Sequence, residues 1–541
     1  VSESDWSSLA NLQQREQART EELFEFPITG PFGGVQSELP LDQIEDYGFA
    51  DSTNFLFRKG VAYVRPGFTA LPPFPASANE PVLGIADFFT KNGVRVQVVM
   101  TQTRLLQWNP LTQTWTPITG TGFTGSSTQV FSWDVLNNKL LFSQGVDKVW
   151  LWDGITVGYS QSSANAPAAF YMAEIGLHLM TLNTVEGGVN FTQRYRWSGV
   201  GDPTDWTGFT AGVNDNLNNL GPGQGLLKLG QYGYGWHNWG IVQIQPTGVG
   251  LSPFYFTAIA NSNMGNFCPH SLDHFNRDGV ECAAYAGFDN VYIFNQSSVI
   301  PIGDMPLDGK KRIGARSRIY ADLISGNPAN AFGYVTQNIK GQIFNAYWLF
   351  IPGVRVWVYN FDENNWTPFS YAGVQTVSGK FFNPTGTRII DLVGRIIDQN
   401  WTPATLGSNS LDGYAIGNST GQVAYIDFTN YSENNAVITS GKHIFKDRRH
   451  KHTVKKFRLT VQDQGAVTYT ITITNDKGYS ETQTVTLGSG TGDSISTVLG
   501  FNVTGLRITW SCSITAGQPG AVIEFCPMFD ISGEQRGGVI D

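Results

Sequence analysis

The chain has 541 residues, 41% of them hydrophobic and only 15% charged, with a formal net charge of -9. That length exceeds what one hydrophobic core usually supports, so about two or three domains are expected. The acidic balance argues against a bulk nucleic-acid binder, and the absence of any apolar run of roughly 18 residues argues against a membrane helix.

Aromatics make up 13% of the chain and glycine occurs 61 times. Aromatic and β-branched residues suit pleated surfaces, while Gly and Asn suit tight turns, so the composition predicts many short strands. Cys268, Cys282, Cys512 and Cys526 are too few for a disulfide scaffold and read as buried thiols. The N-terminus has no apolar h-region, so no secretory leader is expected.

Residues 1–26 carry Trp6, Leu9, Leu12, Leu23 and Phe24 among Gln, Glu, Arg and Ala. This is the one long helix-compatible stretch, and its thin apolar face predicts an arm ordered by packing on a neighbour. Residues 27–79 form a second segment. There Phe55–Arg58 and Val61–Val64 flank Lys59-Gly60 and predict a hairpin, closed by a turn at Pro66-Gly67.

From 80 to 435 a loose repeat appears: a short apolar strand ending in an aromatic, then Asn or Asp, then a turn. The clearest copies are Leu105–Pro110 followed by Trp115, and Val356–Asn360 followed by Trp366. Val149–Gly154, Tyr195–Ser198 and Val291–Asn295 are further copies. Strand-turn-strand units at about 50 to 60 residues per repeat predict a β-propeller of about six or seven blades. Residues 436–541 alternate cleanly, as in Phe457–Val461 and Val467–Ile473, and predict an antiparallel β-sandwich. The expected fold class is therefore all-β, a propeller followed by a sandwich, with a short N-terminal helical arm.

Catalytic signatures are sparse. No phosphate loop is present, and Gly221-Pro222-Gly223-Gln224-Gly225 reads as an ordinary glycine-rich loop. Cys268, His270, Asp273 and His274 fall within seven residues and are the best metal candidate, but without HExxH or paired Cys-x-x-Cys they read as a turn between blades. No nucleophile elbow occurs. No catalytic, metal-binding or cofactor-binding residue is expected, and no cofactor.

The anomaly is basic. Lys442, Lys446, Arg448, Arg449, Lys451, Lys455, Lys456 and Arg458 place eight positive charges in 17 residues, with His443, His450 and His452 among them. A second cluster is Lys310, Lys311, Arg312, Arg316 and Arg318. Such concentration in an acidic chain suits an acidic neighbour or DNA phosphate, or else a solvated linker. These readings stay open at this level.

Gly33-Gly34-Val35, Pro40-Leu41, Ala50, Asn54, the hairpin through Gly60 and Arg65-Pro66-Gly67-Phe68 resemble the opening of tail nozzle, or packaged-DNA-stabilisation, proteins of short-tailed bacteriophages. The resemblance implies a propeller after this opening and a ring of six copies below the portal and adaptor rings. Such a ring would meet tail fibres or spikes and pass double-stranded DNA. It implies a virion tail protein assembled in the host cytoplasm. The alternatives are a receptor- or glycan-binding propeller and a polysaccharide-degrading one, the latter needing a carboxylate pair in a central pocket.

Overall fold

The computed structural model describes residues 23–75, 80–110, 112–215, 219–259, 264–307, 311–337, 345–384, 410–431, 435–442 and 451–532. The chain is all-β but for one α-helix and a short 3-10 turn among these residues. No helix of theirs is long and apolar enough to cross a membrane. The chain divides into two compact units. One spans Pro66–Asp362 with Pro368–Asn430, and the other takes Val1–Arg65, Glu363–Thr367 and Tyr431–Asp541.

The first unit is a β-propeller-like ring of seven four-stranded antiparallel sheets. Their first strands, in order, are Val82–Phe89, Ser132–Leu136, Ala168–Ile175, Gly223–Leu229, Asp273–Arg277, Phe332–Thr336 and Gln375–Pro384. Each first strand touches the first strand of the next sheet, and the seventh touches the first, so the ring closes. The closing sheet is composite: its fourth strand is Pro66–Ala70, drawn from the beginning of the unit to pair beside Val423–Tyr431. A closed ring leaves no long unpaired inner edge.

Local chemistry explains the hairpins. Asn137-Asn138, Gly187-Gly188 and Asp278-Gly279 each place two consecutive residues at positive φ, the turn whose twist matches flanking strands. Hydrophobic clusters then join sheets in consecutive pairs. Phe88, Phe142 and Trp152 fill the space between sheets one and two, and Tyr195, Leu226 and Ile244 that between three and four. Trp236, Tyr285 and Phe294 do the same between four and five.

Every copy of the aromatic repeat lands on the third strand of its sheet, at Leu105–Asn109, Trp150–Trp152, Val189–Trp197, Val291–Phe294 and Arg355–Asn360. That strand is flanked on both edges, so its aromatics pack against neighbouring sheets. One element was not expected. Arg316–Gly326 is an α-helix that buries Ile319 and Leu323. Two apolar anchors in 11 residues make too weak a periodic signal to read, and packing decides the helix.

The second unit is built from both chain ends. One sheet runs in the order Phe55–Arg58, Val61–Val64, Ala521–Ser532, Lys451–Gln462, Ser494–Gly505. The other runs Phe49–Thr53, Ala436–Ser440, Ile508–Ile514, Val467–Asn475, Ser480–Leu487. Their alternate residues share one core, in which Phe49 meets Phe57, Trp510 and Phe525. The Lys59-Gly60 hairpin forms, with both residues at positive φ. Its strands, however, belong to this unit rather than serving only as a lead into the ring, because Phe49, Phe55 and Phe57 complete its core.

The helical arm needs correction at its end. Phe24–Glu25 is a short strand paired with Met528 and Phe529, and Ile28–Thr29 pairs further along the same strand. The open edge of a long strand offers these residues hydrogen bonds that a marginal helix cannot match. Trp6, Leu9 and Leu12 lie outside the described residues.

Candidate functional site

The first strands of all seven sheets line a central cavity of about 660 Å³. Most of these strands contribute a charged or polar residue to the cavity lining. Asp87, Glu174 and Lys228 stand near the ends of their strands, Asp134 and Lys380 near the middle and His274 near the start, with Ser132, His270, Asp273 and Tyr334 beside them. Successive first strands run alongside one another, so a side chain on one reaches the backbone of the next.

That reach defines the chemistry. The Asp134 carboxylate accepts the Glu174 amide at 2.5 Å, and the Ser132 hydroxyl accepts the Met172 amide at 3.0 Å. Asp273 accepts the Val335 amide at 2.7 Å, and the His270 carbonyl accepts the Gly333 amide at 2.9 Å. Glu174 holds Lys228 at 2.5 Å, Asp87 holds Arg95 at 2.6 Å, and Glu281 accepts the Gly230 amide at 2.5 Å. These carboxylates fasten one sheet to the next or neutralise a cation.

Burial raises the Asp134 carboxyl above its ordinary value, against the pull of its two backbone amides. Burial also pushes His270 down to about 4. His274 moves the other way, because the Asp273 carboxylate favours its charged form.

Cys268, His270, Asp273 and His274 surround the start of the fifth sheet without converging. Cys268 is buried, Asp273 and His270 serve the sixth sheet, and among the described residues no three such groups are placed to hold a metal ion. All four cysteines are buried free thiols.

Of the basic run, Lys451, Lys455, Lys456 and Arg458 lie on the strand Lys451–Gln462. Lys446, Arg448 and Arg449 lie outside the described residues, as do His443 and His450. Lys442 is half-buried beside the Leu41 carbonyl that its amide donates to, and Lys451 and Lys456 are exposed. The Lys455 ammonium approaches the Asn502 side chain at 3.4 Å. Arg458 bonds Glu524 and Glu25, each at 3.0 Å, which accounts for its charge within the chain. Phe457, Leu459 and Val461 alternate inward on the same strand.

Of the arm residues, Leu23 is half-buried and Phe24 is 64% exposed. In the second basic cluster, Arg316 reaches Asp304 at 3.6 Å and the Arg318 guanidinium lies 5.7 Å from the Trp357 ring centre. Lys310 lies outside the described residues.

Of the cavity residues, His270, Asp273 and His274 stand out in the sequence as a metal candidate, whereas Asp87, Asp134, Glu174, Lys228 and Lys380 do not. The usable signal is a lone charge within a largely apolar strand, as in the Asp87, Asp134, Glu174 and Lys228 runs. It becomes visible only once the first strand of each sheet is known.

Asn54 and Arg65, two of the residues that carry the resemblance, help hold the second unit together. Asn54 sits at positive φ, and its side chain accepts from the buried Arg65 guanidinium at 2.9 Å while donating to the Asn435 carbonyl at 3.0 Å. Gly34, also at positive φ, lies where a Cβ would meet the Trp366 carbonyl at 2.6 Å, so this turn admits no side chain without a backbone shift.

No protein-family model and no curated protein matches the sequence. Solved structures with some likeness include a computationally designed protein, Ika8, at 10% identity over 67% of this chain and 99% of that one, with a TM-score of 0.34. An exo-β-1,3-galactanase from Phanerochaete chrysosporium is 9% identical over 83% and 100%, with a TM-score of 0.24. A family 43 arabinoxylan arabinofuranohydrolase from Bacillus subtilis is 11% identical over 90% and 95%, with a TM-score of 0.23. At such scores neither fold nor chemistry is taken from them, and the ring of sheets rests on this chain's own contacts.

Proposed function

We propose that this chain is a structural, non-catalytic subunit of a viral tail hub or nozzle. Six copies build a ring-shaped conduit that extends the head-to-tail connector, retains packaged DNA and passes it during ejection. The observation that carries the reading is the use of the cavity carboxylates as fasteners: Asp134 and Asp273 each hold a backbone amide of the next sheet. A ring stitched in this way is a stiff building block, which a conduit wall requires. The resemblance through Asn54, Gly60 and Arg65–Phe68 supplies the tail assignment, and its polar residues join in one buried lock.

The conduit is the lumen between copies rather than the cavity within one ring of sheets. Low charge and many Thr, Asn and Gln side chains suit such a wall, since dense Lys and Arg would hold DNA through counterion release. Portal or adaptor rings and tail fibres or spikes are the expected partners.

Mass measurement and particle-image averaging test the proposal. The expected result is a hollow six-fold ring of 59.4 kDa chains. A strictly monomeric protein within virions overturns it. The alternative of a polysaccharide-degrading propeller predicts cleavage of host polysaccharide that is lost in Asp134→Asn.

A further inference from the structure

Trp239 is 54% exposed and Phe288 is 39% exposed, yet they stack on each other with ring centres 4.6 Å apart and planes 19° apart. Phe267, half-buried, meets Phe288 at 4.8 Å. Trp239 and Phe288 occupy the hairpins between the second and third strands of sheets four and five. They therefore stand on the face where the first strands of these two sheets begin.

Both hairpins are held stiffly. The Trp239 amide donates to the Leu220 carbonyl at 3.0 Å and the Asn238 amide to Pro222 at 3.2 Å. Beneath them His237 donates through Nδ1 to the Gly221 carbonyl at 2.8 Å and accepts the Tyr195 hydroxyl at 2.7 Å through Nε2. On the other hairpin the Tyr320 hydroxyl donates to the Gly287 carbonyl at 2.6 Å, and Arg316 Nε to the Asp289 carbonyl at 2.5 Å. These bonds fix the backbone from which the Trp239 and Phe288 rings project.

We propose that Trp239, Phe288 and Phe267 form a carbohydrate-stacking platform that takes a neutral hexopyranose unit of a surface polysaccharide. A pyranose has a flat face of C–H groups and a rim of hydroxyls. The face of Trp239 turned away from Phe288 suits the first, and Asn238 Nδ2 and the exposed Asp289 carboxylate offer a donor and an acceptor to the second, while Asn238 Oδ1 accepts from Gln224 and Asp289 Oδ1 from the Tyr292 hydroxyl. Asp289 and the net acidic chain disfavour a nucleic-acid base with its phosphate. A protein anchor prefers a deep, desolvated pocket over a flat, exposed pair of rings. This inference does not depend on the tail assignment.

The test applies the full chain to an array of neutral oligosaccharides. Trp239→Ala and Phe288→Ala should each weaken retention of the bound glycans by at least about tenfold, and Tyr255→Ala, which removes an exposed ring elsewhere on sheet four, should not. Circular dichroism of each variant should match the parent. The proposal is overturned if the parent retains no glycan, or if binding survives both substitutions. It is also overturned if the variants lose ring assembly and keep glycan binding, which would mean that a neighbouring copy covers these rings.

Discussion

Single polar side chains hold much of this molecule's geometry. Asp273 accepts the Val335 amide across a sheet boundary, and Asp273→Ala leaves that amide without its acceptor. The expected cost is about 1–3 kcal/mol, read as a lower denaturant midpoint with an unchanged slope. Asp463 does similar work in the second unit. Its carboxylate accepts the amides of Gly465, Ser489, Gly490 and Thr491 at 2.8–3.0 Å, together with the Ser489 and Thr491 hydroxyls. These donors hold its pKa well below the usual carboxylate range. Its contribution is therefore complete above the unfolded carboxylate value and fades in strong acid. Asp463→Ala should speed amide exchange at Ser489, Gly490 and Thr491 while leaving the ring unit unchanged.

Two histidines act in a milder pH range. Burial lowers His237, and lowers His270 to about 4. Unfolding returns both to about 6.5, so below that value the unfolded chain binds more protons. Stability should fall as pH drops from about 6.5 towards 4 and lie flat above about 7. His274 opposes this trend because its folded-state value is raised. His270→Leu should flatten the slope between these limits in thermal unfolding. An equal slope in that variant would remove His270 from the account.

At the scale of elements, the sheets depend on the aromatics packed between them. Trp236 is fully buried, with Tyr285 and Phe294 ring centres at 6.0 and 5.7 Å. Trp236→Ala should cost about 3–5 kcal/mol by leaving a cavity between sheets four and five. Calorimetry of the purified chain would measure it.

The strands differ in how far they can be read in advance. Third strands such as Leu105–Asn109 and Arg355–Asn360 declare themselves, because a strand covered on both faces and paired on both edges needs Trp, Tyr or Phe next to a turn residue. The third strand of sheet four, Ile241–Pro246, has no aromatic, and its sheet left no trace in the repeat. Pro66–Ala70 looked like the close of an opening segment. Its partner Val423–Tyr431 lies over 350 positions away, and no local pattern records such a pairing.

At the scale of the whole molecule, the basic run decides between partners. Arg458 is paired within the chain, so Lys451, Lys455 and Lys456 are the better probes. Reversing all three to Glu should block assembly if an acidic neighbouring subunit is the partner, and the parent assembly should then loosen at high salt. Intact assembly with altered genome retention would assign the partner as DNA. No change in either would leave a solvated surface.

Composition and alternation alone determined that this is an all-β chain with a repeat of aromatic strands and an alternating C-terminal part, because strand chemistry is local and has a period of two. The same local chemistry announced the Lys59-Gly60 hairpin, since only a few residue pairs tolerate two positive φ angles in a row. Tertiary structure alone decided that the ring closes at seven sheets, that both chain ends share one core, and that Asp134 and Asp273 bind the amides of a neighbouring sheet. Each of those facts joins residues distant in sequence. The free energy that selects them comes from burial and hydrogen bonds formed after the local elements exist, and a one-dimensional pattern carries no mark of it.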